Sequence, residues 1–210
     1  RSDRRVRLAS LDQDLRLETD IGPQRPEPEQ GWTNYPRGVI HLLPGDPRRY
    51  VGLDLLYCGT VPMGGGLSSS PAIEVATAIT LTAMASVDLS PREIADLAHR
   101  SETEFVGVRC GIMDQFASAL ARPEHALLID CSHGSMRHLP LPADRVEIVM
   151  LDTRKPRHLV SSEFNQRVEQ CRQAFALLQP FVQARCLAHV TRDDLDRHEA
   201  RLPALLARRA

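Results

Sequence analysis

The chain has 210 residues, 42% of them hydrophobic and 25% charged, with a formal net charge of −1. This composition is typical of a globular protein of one large or two small domains, and it gives no electrostatic reason to expect a nucleic-acid or membrane partner. The five cysteines lie far apart, which favours free thiols in a reducing cytoplasm over a zinc site or a redox pair, and we expect neither a signal peptide nor a membrane span.

Residues 5–57 predict a small sheet interrupted by loops. Apolar and polar residues alternate over residues 5–17, which indicates a hairpin or a strand pair. Three prolines within residues 20–31 indicate a surface loop, and a short helix is predicted over residues 36–43. A second alternating stretch at residues 51–57 predicts a half-buried strand that leads the chain into the next segment.

That segment, residues 62–76, reads PMGGGLSSSPAIEVA and is the most informative part of the sequence. Three glycines at 64–66 permit a tight loop with exposed backbone, and three serines at 68–70 offer hydroxyls at the start of a helix. Pro71 suits the first helical position. A helix start fed by such a loop presents unpaired N–H groups to an anion. We interpret the segment as a phosphate cradle, the alternative being a glycine-rich turn with an ordinary serine cap.

The cradle differs from the two common phosphate motifs. A P-loop requires a lysine directly after its last glycine, whereas Lys155 is the only lysine of this chain. The dinucleotide fingerprint spreads its glycines over six positions, and here the glycines are consecutive. The segment therefore predicts a different class of nucleotide site.

The rest of the chain predicts mainly helices. A buried helix is expected over residues 71–84 and another after Ser90, whose spacing to Glu93 is that of a capping box. Glu102 lies at the border of the inner face of this second helix. Residues 107–111 break it, and Asp114 falls in the first turn of the following helix, where a carboxylate is also favourable simply for the helix dipole. Two strands are predicted at residues 125–130 and 145–151, and a long helix at residues 162–178, ending near Pro180.

Three ordered motifs resemble the GHMP sugar and metabolite kinases, and within them the galactokinases: the glycine–serine segment, ETEFVGVRCGIMDQFAS at 102–118, and RHLVSSEFNQR at 157–167. The resemblance implies an α+β fold. Residues 1–143 would be the GHMP kinase N-terminal ATP-binding domain, similar to the second domain of ribosomal protein S5. Residues 144–210 would begin a ferredoxin-like C-terminal domain.

The resemblance also implies roles for individual residues. ATP is the expected phosphate donor and Mg²⁺ the expected metal, held by Ser70, with Ser69 as an alternative, and by Glu102. Asp114 matches the catalytic aspartate, which also touches the sugar together with Gly111 and the side chain at Phe164. The residues expected to bind the ATP phosphates are Gly64, Gly65, Gly66, Leu67, Ser68, Ser69 and Ser70.

The sequence departs from the galactokinase pattern in two respects. Galactokinases usually carry a tyrosine where Phe164 stands, and the loss of that hydroxyl could leave one sugar group unpaired. The N-terminal motif with the catalytic arginine and the C-terminal glycine-rich motif are missing from these 210 residues, so we expect a fragment that is inactive by itself.

The predicted function is ATP-dependent phosphorylation of a monosaccharide at its anomeric hydroxyl, with galactose preferred. A kinase for a related sugar such as arabinose is an alternative that agrees with Phe164. Two other classes stay open: a galactokinase-like sensor that binds sugar and ATP without turnover, and a domain of this fold that binds no ligand. The oligomeric state is not predicted.

Overall fold

The computed structural model describes residues 3–142, 144–151 and 162–210, with the side chains of Pro47 and of residues 162–164 left outside that description. The chain divides into two compact units: Arg1–Cys131 with Ser135–His158, and Ser132–Gly134 with Leu159–Ala210. The predicted domain boundary between residues 143 and 144 stays a prediction. The first unit contains strands β1 (Arg5–Ser10), β2 (Leu17–Asp20), β3 (Leu53–Tyr57), β4 (His125–Asp130) and β5 (Ser135–Pro140), and helices α1 (Asn34–His41), α2 (Ser69–Met84), α3 (Pro91–Arg100) and α4 (Met113–Leu120).

Strand β1 is the centre of a three-stranded sheet. It pairs antiparallel with β2 and parallel with β3, so that Leu8 stands opposite Leu17 on one side and Leu55 on the other. Val6 and Leu8 are buried on the same face, as the alternation of a half-buried strand requires. They pack against Leu81 of α2. The predicted strand pair is confirmed, although its second strand lies at Leu17–Asp20 and not within residues 5–17. The predicted strand before the glycine loop is also confirmed.

Helices α1, α2 and α3 share a second apolar cluster that includes Val39, Val75 and Ile94. Helix α1 approaches the segment after α3 very closely, because a side chain at Gly38 would collide with the Ser101 hydroxyl and press on Phe105. The Ser101 hydroxyl donates a hydrogen bond to the carbonyl oxygen of Tyr35 at 3.1 Å. This contact fixes the segment that carries Glu102.

Strands β4 and β5 form an antiparallel hairpin, which confirms the strand predicted at residues 125–130. The prediction of a strand at residues 145–151 was wrong. Those residues adopt no regular structure and are largely exposed, Ile148 by 70% and Leu151 by 87%. Apolar composition favours a strand only where a neighbouring strand can exchange hydrogen bonds with it, and no such neighbour lies beside residues 145–151 in the described part of the chain.

The second unit is helical and consists of α5 (Ser162–Leu178), α6 (Arg192–His198) and α7 (Ala204–Ala207). Its core joins Ala174 and Leu178 of α5 to Leu202 and Leu206. Helix α5 has the predicted bounds, and a short 3₁₀ turn containing Pro180 follows it. None of the helices in the described ranges has the length and apolarity needed to span a bilayer.

Candidate active site

The glycine–serine segment forms an exposed loop that runs directly into α2. Gly64 and Gly66 have φ values of 73° and 77°, and Ser68 follows with φ 59°. These left-handed positions are inexpensive for glycine but unusual for serine. A side chain at Gly64 would meet no atom within 4 Å, so the backbone of the loop is open to an approaching ligand.

Helix α2 begins at Ser69, two residues before the predicted start at Pro71. Ser68 precedes the helix, and its side chain makes no capping hydrogen bond, which counts against the alternative of an ordinary serine cap at this residue. The first backbone bond of the helix runs from Ala72 N–H to the Ser68 carbonyl at 3.1 Å. Helix geometry leaves the preceding N–H groups, those of Ser69 and Ser70, without an intrahelical acceptor.

Ser70 and Glu102, which lie 32 residues apart in the sequence, meet inside the protein. The Ser70 hydroxyl donates to Glu102 Oε1 at 3.4 Å, and the two residues are only 5% and 3% exposed. Glu102 lies in a π-helical turn, Ser101–Val106, that continues α3. In this turn the Glu102 carbonyl accepts the N–H groups of Gly107 and Val108, both at 3.0 Å. A π turn inside a helical segment is frequently found at a functional site.

The other oxygen of Glu102 is held by two more donors. Gln115 Nε2 donates to Glu102 Oε2 at 2.6 Å, and the Cys110 thiol approaches the same oxygen at 3.5 Å. Burial raises the pKa of Glu102, while the hydrogen bonds from Cys110, Gln115 and Ser70 oppose that rise and the charge of Asp114 adds to it. The carboxylate therefore sits in an environment where a cation would be strongly favoured.

Three further residues of this cluster carried no prediction from sequence: Tyr35, Glu74 and Gln115. Burial raises the pKa of Tyr35 to about 12, with the charge of Glu102 as the next cause. Glu74 and Gln115 are both 0% exposed. One available signal was Glu74 itself, because a carboxylate in the middle of an almost wholly apolar helix requires an explanation.

The other predicted site residues are distributed around this cluster. Asp114 is half-buried in the first turn of α4, one position before Gln115. Gly111 is exposed, and a side chain there would meet no atom within 4 Å. Leu67 is 37% exposed on the loop. Phe164 belongs to α5, but its side chain lies outside the described residues. The roles predicted for Asp114, Gly111, Leu67 and Phe164 stay predictions.

The donor atoms at this point fit a hard cation bound together with a nucleotide. A serine hydroxyl and a glutamate carboxylate are oxygen ligands of the kind Mg²⁺ accepts, and Mg²⁺ in nucleotide sites usually takes only one or two protein oxygens, with phosphates and water completing the shell. The N–H groups of Ser69 and Ser70, which lack an intrahelical acceptor, adjoin the Ser70 hydroxyl on the chain. A phosphate bound at the helix start would therefore lie beside the Ser70–Glu102 pair.

Comparison with known proteins gave three findings. Residues 34–122 match the family of GHMP kinases N terminal domain. A galactokinase of Roseiflexus sp. (strain RS-1) is 41% identical over 182 residues, which are 86% of this chain and 46% of that protein. The crystal structure of Lactococcus lactis galactokinase complexed with galactose matches with a TM-score of 0.83 at 25% identity, over 100% of this chain and 55% of that one. The chain spans about half the length of these relatives, and their likeness confirms the predicted mixed α/β fold.

Proposed function

We propose that this chain, which belongs to the GHMP kinase family, is part of an ATP-dependent kinase that phosphorylates galactose at its anomeric hydroxyl. The observation that carries the proposal is the buried Ser70–Glu102 pair at the start of α2. It brings together a hydroxyl and a carboxylate beside free helical N–H groups, which is what a metal–nucleotide complex requires.

The phosphates of ATP would bind along the loop and the first turn of α2. Phosphoryl transfer asks the protein mainly to position the reactants and to balance charge. Gly64, Gly65 and Gly66 leave the backbone accessible, and Leu67 and Ser68 lead into the N–H groups of Ser69 and Ser70. Because Pro71 has no N–H group, the donors available to a phosphate at this point come from the two serines before it.

Ser70 and Glu102 would hold Mg²⁺. When bound, the metal would neutralise charge on the phosphate oxygens during transfer. Hydrogen bonds from three donors orient the Glu102 carboxylate inside a buried cluster, so that it is positioned to bind the metal.

The five cysteines are free thiols. Because free thiols are typical of a reducing compartment and ATP is the proposed phosphate donor, we place the enzyme in the cytoplasm.

Asp114 is our candidate for the group that accepts or orients the proton of the attacking hydroxyl. It is half-buried at the start of α4, and its charge influences Glu102, which puts it near the proposed metal ligand. Gly111, exposed just before α4, and Phe164 of α5 would contact the sugar. Phe164 offers no hydroxyl for a hydrogen bond, and this single feature favours arabinose as the second candidate substrate.

The test is a sugar panel measured by ADP release, with the complete product of the coding sequence and an Asp114→Asn variant. We expect turnover with galactose and a loss of roughly 10²- to 10⁴-fold in the variant, the usual contribution of a positioned acid–base group. Turnover with arabinose alone would move the substrate to the second candidate. ATP and sugar binding without ADP release would contradict the kinase and support a sensor. The 210-residue chain, run in parallel, is expected to release no ADP above the blank.

A further inference from the structure

Two buried polar side chains near Glu102, those of Gln115 and Glu74, have oxygens without hydrogen-bond partners among the described residues. The amide nitrogen of Gln115 donates a hydrogen bond to Glu102, but within the described residues its oxygen Oε1 has no hydrogen-bond partner. Both carboxyl oxygens of Glu74 are also buried and unpartnered there. Buried polar atoms without partners are costly, and each such group in a folded protein calls for an explanation.

The three oxygens without partners belong to two neighbouring side chains of complementary chemistry. Gln115 and Ser101 lie close enough to Glu74 for their donors to lower its pKa, although neither makes a hydrogen bond of ordinary geometry to it. The Ser101 hydroxyl is already engaged with the Tyr35 carbonyl. Gln115 faces the carboxylate of Glu102 with its nitrogen and therefore turns its oxygen, an acceptor, away from it. A neutral Glu74 carries one O–H donor, which matches that acceptor.

The hydrogen-bond donors decide which of the two glutamates is charged. Glu102 receives hydrogen bonds from Ser70, Gln115 and Cys110, whereas among the described residues neither oxygen of Glu74 has a partner at ordinary hydrogen-bond geometry. Two carboxylates in one buried cluster cannot both remain ionised without a large penalty. The charge therefore belongs on Glu102 and the proton on Glu74. In agreement, burial and the charge of Glu102 raise the pKa of Glu74 to about 10.

We propose that Gln115 and Glu74 form a positioning pair behind Glu102: the Gln115 amide fixes one carboxylate oxygen, and the neutral Glu74 carboxyl fixes the amide by donating to its oxygen. This inference rests on the proposed role of Glu102 as a metal ligand. We assign neither residue as a ligand of the metal or of the substrate. Their effect is to hold Glu102 with its other oxygen turned to Ser70, as second-layer hydrogen bonds do around metal ligands generally.

The first experiment measures how much Mg²⁺ the 210-residue chain needs to bind ATP, by calorimetric titration at a series of Mg²⁺ concentrations. We expect Gln115→Leu to raise the half-saturating Mg²⁺ concentration roughly 10- to 100-fold, the range found when such supporting bonds are removed. Glu74→Gln keeps the shape and supplies an N–H donor to Gln115 in place of the O–H. It should remain within about threefold of the parent, whereas Glu74→Leu should follow Gln115→Leu.

Thr82→Val is the matched control, because Thr82 is a buried polar residue of the same helix whose hydroxyl bonds only within α2. It should lower the unfolding temperature without changing the Mg²⁺ requirement. An unchanged Mg²⁺ requirement in Gln115→Leu, or an equal loss in Glu74→Gln and Glu74→Leu, would overturn the positioning pair.

A second measurement separates this inference from the proposed function. In the metal-free chain, the unfolding temperatures of Glu74→Leu, Gln115→Leu and the double variant form a cycle. Non-additive shifts in unfolding temperature would support the pair, even if the parent chain binds ATP without any Mg²⁺ dependence. That lack of Mg²⁺ dependence would instead contradict the metal role of Glu102. Additive shifts would refute the pair whatever the metal data are.

Discussion

Helices α2 and α3 begin with the same residue types, serine and proline, but only α3 has a serine side chain that caps the helix start. Each start places a proline shortly after serine: Ser68 to Ser70 before Pro71 in α2, and Ser90 before Pro91 in α3. At α3 the Ser90 hydroxyl accepts the Glu93 N–H, while the Glu93 carboxylate accepts the Ser90 N–H at 2.8 Å.

At α2 the residue before the helix is left-handed and caps nothing with its side chain. Ser70 directs its hydroxyl to Glu102 instead. A helix start whose donors are satisfied by its own side chains contributes to stability. A helix start that leaves them free does not, but it can bind an anion. We therefore propose that the two serines differ in function, and the proposal can be tested by making the same substitution at both.

The largest difference is expected from replacing each serine by alanine. Ser70→Ala removes a proposed metal ligand and a buried partner of Glu102. The loss of about 1–3 kcal/mol for such a partner corresponds to roughly tenfold to hundredfold weaker binding of Mg²⁺–ATP. Ser90→Ala should leave that affinity unchanged. Calorimetric titration of both variants gives the answer, and equal affinities in the two would remove the distinction.

A smaller effect is expected at the loop. Gly64 and Gly45 both have positive φ, 73° and 82°, and an added Cβ meets nothing within 4 Å at either position. Alanine at each should therefore cost about 1–2 kcal/mol from backbone conformation alone. Gly64→Ala should weaken ATP binding about tenfold if the loop must hold this conformation around phosphate. Gly45→Ala should change only the stability, and weakened nucleotide binding in it would indicate a general loss of folding.

The stability of α3 should respond where that of α2 does not. Ser90→Ala is expected to lower the free energy of unfolding by about 1 kcal/mol, the typical value of a serine cap. Ser68→Ala, at the residue that precedes α2, should have little effect through capping because its side chain makes no such bond. Urea denaturation of the two variants measures both values.

The smallest expected effect is on the stability of the protein at low pH. Hydrogen bonds from Ser90 hold the pKa of Glu93 below its usual value of 4.5. A lowered pKa in the folded state means that the capping contribution is complete above pH 4.5 and is lost as the pH falls through the folded-state pKa. Glu93→Gln lacks this titration. Between pH 6 and pH 3 (roughly the window of carboxylate titration) the parent should lose more stability than the variant, and parallel curves would argue against the box.

The contrast between these helix starts also marks how far sequence reasoning reached. The capping box of α3 was predicted correctly because all its atoms belong to four consecutive residues. The start of α2 was misplaced by two residues, since a left-handed serine was not expected where proline could begin the helix. Local rules work when the partners of a side chain are local.

The cluster around Glu102 shows the complementary limit. Ser70 and Glu102 were predicted through resemblance, but Glu74 and Gln115 were not. Their significance depends on α2, the π turn and α4 crossing at one point, which no spacing within a single helix reveals. The predicted strand at residues 145–151 failed for a similar reason: a strand requires a partner, and composition does not say where one is.

The π turn at Ser101–Val106 fixes the number of residues that this segment of the chain can contain. An ordinary helical residue advances about 100° around the axis, and the bond from Gly107 N–H to the Glu102 carbonyl closes a turn one residue wider. Glu104, exposed on the outside, could be exchanged freely. Removing Thr103 or Glu104 would instead put the buried Phe105 and everything after it out of phase with α1 and α2. Homologous sequences should therefore vary in composition along this turn but show neither insertions nor deletions.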